Sequence, residues 1–504
     1  MSRRLRSVAA VLAAALLAGC AALDAPFSRH LESSAGPVRD CAEWFARLDA
    51  RVAEARVRDA QDTRVAGFPY LRTSRLLASL RPLAEANDLV LHALAERMAA
   101  LDQEARRYEI MNLPDGQLPE RAAIERTREC GKLLRETDLA APESRRALLE
   151  RAQVPDDYST ASRIVGLYAI SKFAFASGIR RSEAGMRAAF AREAAATGGA
   201  PLIRHAPPPT RPLSRAQVAS ILARSASNAL GIPEPDETDL DDLMATYAPS
   251  FEVEVKADYD RFGALRWSHG DAMRGPAPEV NGADLAVYAH AAWTRYRERV
   301  LLQLVYTAWF SERPPEAGGA LYAGKLDGVV WRVTLAPDGE PLLYDSIHPC
   351  GCYHLFFPTP RAQPLPAPDS AEAAEEWLFA PQALPRIAAG ERPVLRIASG
   401  THYIERVGLT RGSDSLAHYA LRPYGELRSM QMLAPRRASA FGEDGLVAGS
   451  ERPERHLFWP MGIASAGAMR QWGRHATAFV GRRHFDDARL IEKRFRLELG
   501  GERP

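Results

Sequence analysis

The chain changes its hydrophobic rhythm near residue 247, and that change predicts its architecture. Before it, apolar positions recur at helical intervals. Cys41, Phe45, Leu48 and Val52 follow i, i+4, i+7, i+11 behind a capping pair of Asp40 and Glu43, which puts Cys41 on the inward face of a helix. Leu76, Leu80, Leu83, Leu91, Leu94, Met98 and Leu101 keep the period through a long stretch that ends at the turn Leu113-Pro114-Asp115-Gly116. Another helix starts at Pro119-Glu120 and carries Ile124, Cys130 and Leu134. Residues 162–178 hold Ile164, Val165, Leu167, Tyr168, Ile170, Phe173 and Phe175. With Arg163 and Lys172 inside it, and at this length, the segment reads as a helix buried in a helical domain rather than one lying on a membrane.

Thr197-Gly198-Gly199-Ala200-Pro201 and the cluster Pro207-Pro208-Pro209 read as an extended linker, followed by a helix that Ser214 caps. The acidic run 234–242 reads as a solvated helix start; it lacks the glycine turn and closing glutamate of a calcium loop. Beyond residue 247 the pattern is that of strands. Residues 251–255 alternate, 300–310 are rich in β-branched and aromatic side chains, and 329–335 run into the turn Ala336-Pro337-Asp338-Gly339, with a partner strand from Pro341. Residues 394–398, 403–407 and 416–421 are further strand-like pieces; 358–368 form a proline-rich loop and 371–378 a short helix. The predicted class is α+β, a helical N-terminal domain followed by a largely antiparallel β-rich domain with helical insertions. Its parts are a leader at 1–19, a tether at 20–36, a helical domain at 37–196, a linker with short helices at 197–246, and the β-rich domain at 247–504.

The leader rests on its own pattern. Arg3, Arg4 and Arg6 precede an apolar run at 8–16, and Leu17-Ala18-Gly19-Cys20 follows. This resembles the signal peptide and lipobox of bacterial lipoproteins. The resemblance covers residues 1–20 only; it implies lipid attachment at Cys20, export, and, with Ala21 rather than Asp next, anchoring at the outer membrane facing the periplasm. The membrane is then a partner through the lipid. The apolar run is too short to span a bilayer comfortably.

Composition and charge narrow the remainder. At 504 residues, 46% hydrophobic and 25% charged, the chain suits two or three folded domains. Its formal charge of +2 becomes −1 once Arg3, Arg4 and Arg6 leave, so no polybasic footprint for nucleic acid remains. With Cys20 assigned to lipid, Cys41, Cys130, Cys350 and Cys352 allow three pairings in an oxidising compartment. Cys41 with Cys130 is the natural staple, because both lie in the helical half.

The sharpest chemical feature is His348-Pro349-Cys350-Gly351-Cys352-Tyr353-His354. On an extended chain its His and Cys residues alternate onto one side, and Pro349 and Gly351 are able to bend it. Three chemistries fit. A disulfide between Cys350 and Cys352 is tight and readily reduced, which makes it a redox element. Free thiolates with His348 and His354 as candidate ligands suit zinc or copper held by a neighbouring pair, since all four are too far apart on a straight strand to share one metal; the remaining ligands come from elsewhere, and His402 is the first such candidate to mutate. Alternatively, the cysteines pack as small apolar groups and the histidines are hydrogen-bonded. Downstream, His402 and Glu405 face opposite ways on a strand, and His475 with His484 and Asp486 resembles part of an iron site without its later histidine. The small residues around Gly462 and Gly467, followed by Arg470, Trp472 and Arg474, fit either a grip on an anionic or sugar-like ligand or plain tight turns. The common esterase, zincin, Walker, Cys-x-x-Cys and haem motifs are missing. Two functional classes follow: an envelope enzyme with a metal or thiol site, and a non-catalytic envelope scaffold or binding lipoprotein with structural disulfides.

Overall fold

The structure is a computed structural model that describes residues 25–33, 35–114, 119–192, 200–270, 275–317, 319–369, 375–388, 390–410, 417–432 and 435–500. The leader with Cys20, the turn tip Asp115-Gly116, Thr197-Gly198-Gly199, residues 371–374 and Leu416 lie outside them. The class is α+β with mainly antiparallel sheets, helices early and strands late. The chain divides into two compact units, Met1–Pro155 and Asp156–Pro504.

In the first unit, helix α1 (Ala25–Ser33) occupies part of the stretch expected to be a tether. Helix α2 (Pro37–Ala55) starts with Pro37 in its first turn, ahead of the expected Asp40, since a proline there sacrifices no helical hydrogen bond. A hairpin that the helical reading missed follows, β1 (Thr63–Val65) and β2 (Phe68–Thr73). The long leucine stretch is two helices, α3 (Arg75–Ala86) and α4 (Asp88–Met111), because the Asn87 side chain accepts from the Leu89 and Val90 amides and starts the second. Helices α5 (Glu120–Ala140) and α6 (Pro142–Arg151) complete the unit. Cys41 of α2 and Cys130 of α5 are joined in a disulfide with 4.9 Å between their Cα atoms.

The second unit begins with α7 (Thr160–Val165) and α8 (Tyr168–Ala191), so the helical domain does not extend to residue 196. The reason is local bonding. Ser159 N donates to Gly462 O at 2.7 Å, and Arg163 donates to Met461 O at 2.8 Å and Gly481 O at 2.6 Å. Strand β3 (Leu202–Ala206) lies in the expected linker; α9 (Arg215–Ser225) follows with the Ser214 cap completed by Gln217, and α10 (Glu237–Tyr247) grows from the acidic run behind Asp236.

Two sheets enclose the main core. One has five strands in the order β14 (Ile404–Thr410), β13 (Arg392–Ile397), β4 (Ser250–Glu254), β3, β15 (Ala417–His418). The other has six, in the order β11 (Leu355–Pro358), β10 (Pro341–Ile347), β9 (Gly324–Leu335), β8 (Arg299–Arg313), β7 (Ala286–Tyr296), β16 (Ala420–Pro423). Short pairs flank them: β5 (Ala264–Trp267) with β6 (Pro278–Asn281), β12 (Ala362–Pro364) with β19 (Phe495–Leu497), and β17 (Met430–Gln431) with β18 (Arg437–Ala438). Leu302, Leu304, Tyr306 and Phe310 of β8 and Trp331 and Val333 of β9 meet Phe251, Val253, Leu395 and Ile397 in one core. The opposite face is covered too: Val305, Val330 and Ile347 pack on Phe485, while Leu301 and Leu343 join the cluster of Ile491 and Phe495. Burial on both faces explains why β8 and β9 read as near-continuous apolar runs. The Ala336–Gly339 turn closes the β9–β10 hairpin as expected, with Ala336 N donating to Glu340 O at 2.9 Å. Residues 375–378, the described part of the expected short helix, are not helical.

A thiol pair on the wall of an apolar cavity

The segment from His348 to His354 joins the neighbouring antiparallel strands β10 and β11, so it turns rather than extends. His348 N donates to Cys352 O at 2.9 Å and Gly351 N to His348 O at 2.7 Å. Gly351 has φ +91°, and a Cβ there would lie 2.5 Å from Ala476 O, so the position takes only glycine. The turn brings Cys352 N to 3.4 Å from the Cys350 sulfur, and both cysteines are free.

Cys350, Cys352 and His354 line a cavity of about 450 Å³ in the second unit. Phe175, Ile179, Met186, Phe379, Phe458 and Phe479 give it a largely apolar wall, and Glu454, Tyr353, Tyr403 and Arg483 add polar groups. Burial disfavours the Cys350 thiolate, but the hydrogen bond from Cys352 and the charge of Arg452 outweigh it and hold Cys350 below the ordinary thiol value. The same hydrogen bond, with burial, pushes Cys352 well above it. The two thiols are thus driven apart, Cys350 toward the thiolate and Cys352 toward the thiol. Arg470 holds the turn by donating from Nε to Cys350 O at 3.3 Å and from a terminal nitrogen to Ser465 O at 3.1 Å. The Trp459–His475 region accordingly uses this arginine to satisfy backbone carbonyls; Arg474 pairs with Asp157 at 3.5 Å.

The histidines are each committed to a carboxylate. Asp327 accepts from His348 Nδ1 and from His402 Nδ1, both at 3.0 Å, and its carboxylate lies 3.2 Å from Arg452. Burial opposes the charge on Asp327, yet these neighbours hold it well below the usual carboxylate range. His402 also stacks on Phe310 and reaches Tyr259 O; burial opposes its charge, but Asp260 and Asp327 raise its pKa above the ordinary value. It lies just before β14 in a turn, with φ +53°, while Glu405 is on the strand beside Arg192. His354 Nε2 donates to Asp345 at 2.9 Å, Asp345 is also held by Arg332, and burial lowers the histidine to about 3, so it is neutral near pH 7. The five residues expected to bind zinc or copper are therefore not brought together as one ligand set. Among the described residues no group of three or more His, Cys, Asp or Glu side chains is arranged to hold a metal. His484 faces Asp156 and Asp157 at 3.3 and 3.5 Å, and His475 Nε2 is buried without a partner.

Sequence reasoning missed Glu454, although it is the acid nearest in character to a proton donor. Burial pushes its carboxyl up to about 7 against Arg452 and Arg313. Gly467 leaves the room it occupies, since a Cβ there would fall 2.0 Å from the Glu454 oxygen. A carboxyl raised from 4.5 to about 7 contributes stability that is full below about pH 4.5 and lost as pH rises through about 7. Glu454→Gln is expected to remove that slope. Against the wild type, the variant gains about 3 kcal/mol between pH 4 and pH 8, as the shift of Glu454 implies. Urea unfolding across that range measures it, and parallel curves for the two proteins would refute it. No family model, curated protein or solved structure matches the chain.

Proposed function

We propose that the chain is a lipoprotein held at the outer membrane through Cys20, facing the periplasm, whose second unit is a thiol enzyme of the dithiol–disulfide type. The observation that carries this reading is the pair of free thiols, one residue apart, on the wall of a largely apolar cavity with one pKa depressed and the other raised. The Cys350 thiolate attacks a substrate disulfide, giving a mixed disulfide and releasing one substrate thiolate, which takes a proton from the Glu454 carboxylic acid. Cys352 then loses its proton to the second substrate sulfur as it attacks Cys350. The products are two substrate thiols and a Cys350–Cys352 disulfide, so two electrons and two protons pass to the substrate.

A second reading, a binding lipoprotein that holds an apolar ligand in the same cavity, is favoured by the aromatic wall around Phe175, Phe379, Phe458 and Phe479. Incubation of the reduced protein with an aromatic disulfide reagent separates the two. The enzyme reading expects fast release of two reagent thiols per chain and loss of both protein thiols, with Cys352→Ser trapping the mixed disulfide on Cys350. Thiols that react only after unfolding leave the binding reading in its place.

A further inference from the structure

Much of the apolar segment expected to be buried is instead exposed, while Tyr168 and Phe175 pack inward. Ile164 and Val165 of α7, Leu167 in the turn, and Ile170 and Phe173 of α8 are 60–73% exposed. Two more large side chains stand beside them. α7 packs on the Trp459–Met461 turn, Pro460 lies against Gly166, and the neighbouring Leu457 and Trp459, of α11 (Arg455–Phe458) and the turn after it, are 49% and 42% exposed. Seven large exposed apolar side chains thus stand on two segments that meet at Gly166 and Pro460. Isolated exposed apolar residues need no explanation, but a cluster of this kind marks an interaction surface.

Charge identifies the partner. Between residues 160 and 191 the exposed basic side chains are Arg180, Arg181 and Arg187, against one acid, Glu183, while Arg163 and Lys172 are buried. Ile170, Phe173, Ser177 and Arg181 share the outer face of α8, all exposed, so a cation lies about 16 Å along the helix from the apolar tip. A tip that sinks into the acyl boundary with arginines set back at the phosphate level is the arrangement of an interfacial helix on anionic lipid. Trp459 is the residue type favoured at that boundary. No helix among the described residues is long and apolar enough to cross a membrane, so the contact is with the surface.

We infer that the α7–α8 tip and the Leu457–Trp459 segment form a bilayer-docking surface for anionic phospholipid, distinct from the lipid on Cys20. The opposite face of α8 carries Phe175, Ile179 and Met186 on the cavity wall, and Leu457 belongs to both the exposed set and the wall. The exposed set therefore borders the cavity, and docking sets the cavity beside the lipid.

The test uses the full chain reconstituted into vesicles of phosphatidylglycerol and phosphatidylethanolamine with brominated acyl chains, which quench tryptophans at membrane depth. The emission that Trp459→Phe removes is the signal of Trp459. It is expected to be quenched in these vesicles, and the quenching is expected to be lost in Ile170→Asp/Phe173→Asp, while Leu89→Asp, an exposed leucine of the first unit, leaves it intact. Circular dichroism of the double variant checks that it is folded. Unquenched Trp459, or a dimer of the wild type that the two aspartates convert to monomer, overturns the proposal and assigns these side chains to protein contact.

Discussion

Asp327→Ala is expected to destabilise the second unit by about 3–5 kcal/mol, the range for removing one partner of a buried charge cluster. Asp327 is fully buried on β9, and three side chains converge on it from outside the strand: His348, His402 and Arg452. Removing the carboxylate leaves the Arg452 guanidinium, 1% exposed, without the Asp327 charge, and leaves His402 with Asp260 and the Tyr259 carbonyl. It also frees His348, the residue from which the thiol turn departs. Asp327→Asn separates structure from charge. It keeps the shape of the site, and because the Asp327 charge works to raise the Cys350 thiol, its loss moves alkylation of Cys350 to lower pH. Urea unfolding at neutral pH and the pH dependence of iodoacetamide labelling read the two effects. A loss under about 1 kcal/mol for the alanine variant would show that Asp327 does not organise this end of the fold.

The strands were legible wherever local chemistry decided them. The β9–β10 hairpin follows from a four-residue turn with Pro337 and Gly339, α9 from the cap Ser214 and α10 from the acidic run 234–242. The disulfide was legible because Cys41 and Cys130 both lie in the helical half and the helical period turned Cys41 inward. The β1–β2 hairpin was not, because its apolar residues are interrupted by Arg64, Arg72 and Pro69, whose positions make sense only once α4 supplies Asp102 and Glu109. The same limit hid the site. His348, Cys350 and His402 announced themselves in sequence, but Asp327 and Glu454, 21 and 106 residues from His348, join the site only through the tertiary fold. One signal was available: an acid inside an apolar strand, as in Leu343-Tyr344-Asp345-Ser346-Ile347, marks a buried paired carboxylate. The exposed segment misled for the converse reason, since apolar residues at helical spacing are as consistent with a lipid contact as with a core.

Glu109→Gln is expected to weaken the first unit by a comparable amount, about 3–5 kcal/mol, and to change how it responds to acid. Glu109 accepts from Arg72 at 2.6 Å, Arg64 at 3.1 Å, Arg106 at 3.2 Å and the Asp59 amide at 3.0 Å. Burial opposes its charge, but Arg72, Arg106 and Arg64 outweigh that and hold the carboxyl far below 4.5. A depressed carboxyl contributes stability that is present above its unfolded value and lost as pH falls toward the folded one, so the wild-type unit weakens below about pH 4.5. Asp102 acts in the opposite sense, because burial raises it more than Arg106 and Arg72 lower it. Glutamine removes the Glu109 contribution at every pH, so the variant starts weaker at neutral pH and loses less on acidification. Hydrogen exchange of the α4 amides, followed at neutral pH and near pH 4, separates the two proteins. The network is not a simple gain in stability. A matched apolar replacement of the whole cluster is near neutral or stabilising by about 1–4 kcal/mol in comparable cases, whereas deleting a single member strands the others. Equal exchange rates in wild type and Glu109→Gln at both pH values would mean that Asp49, Asp59 and Asp102 suffice for the three arginines.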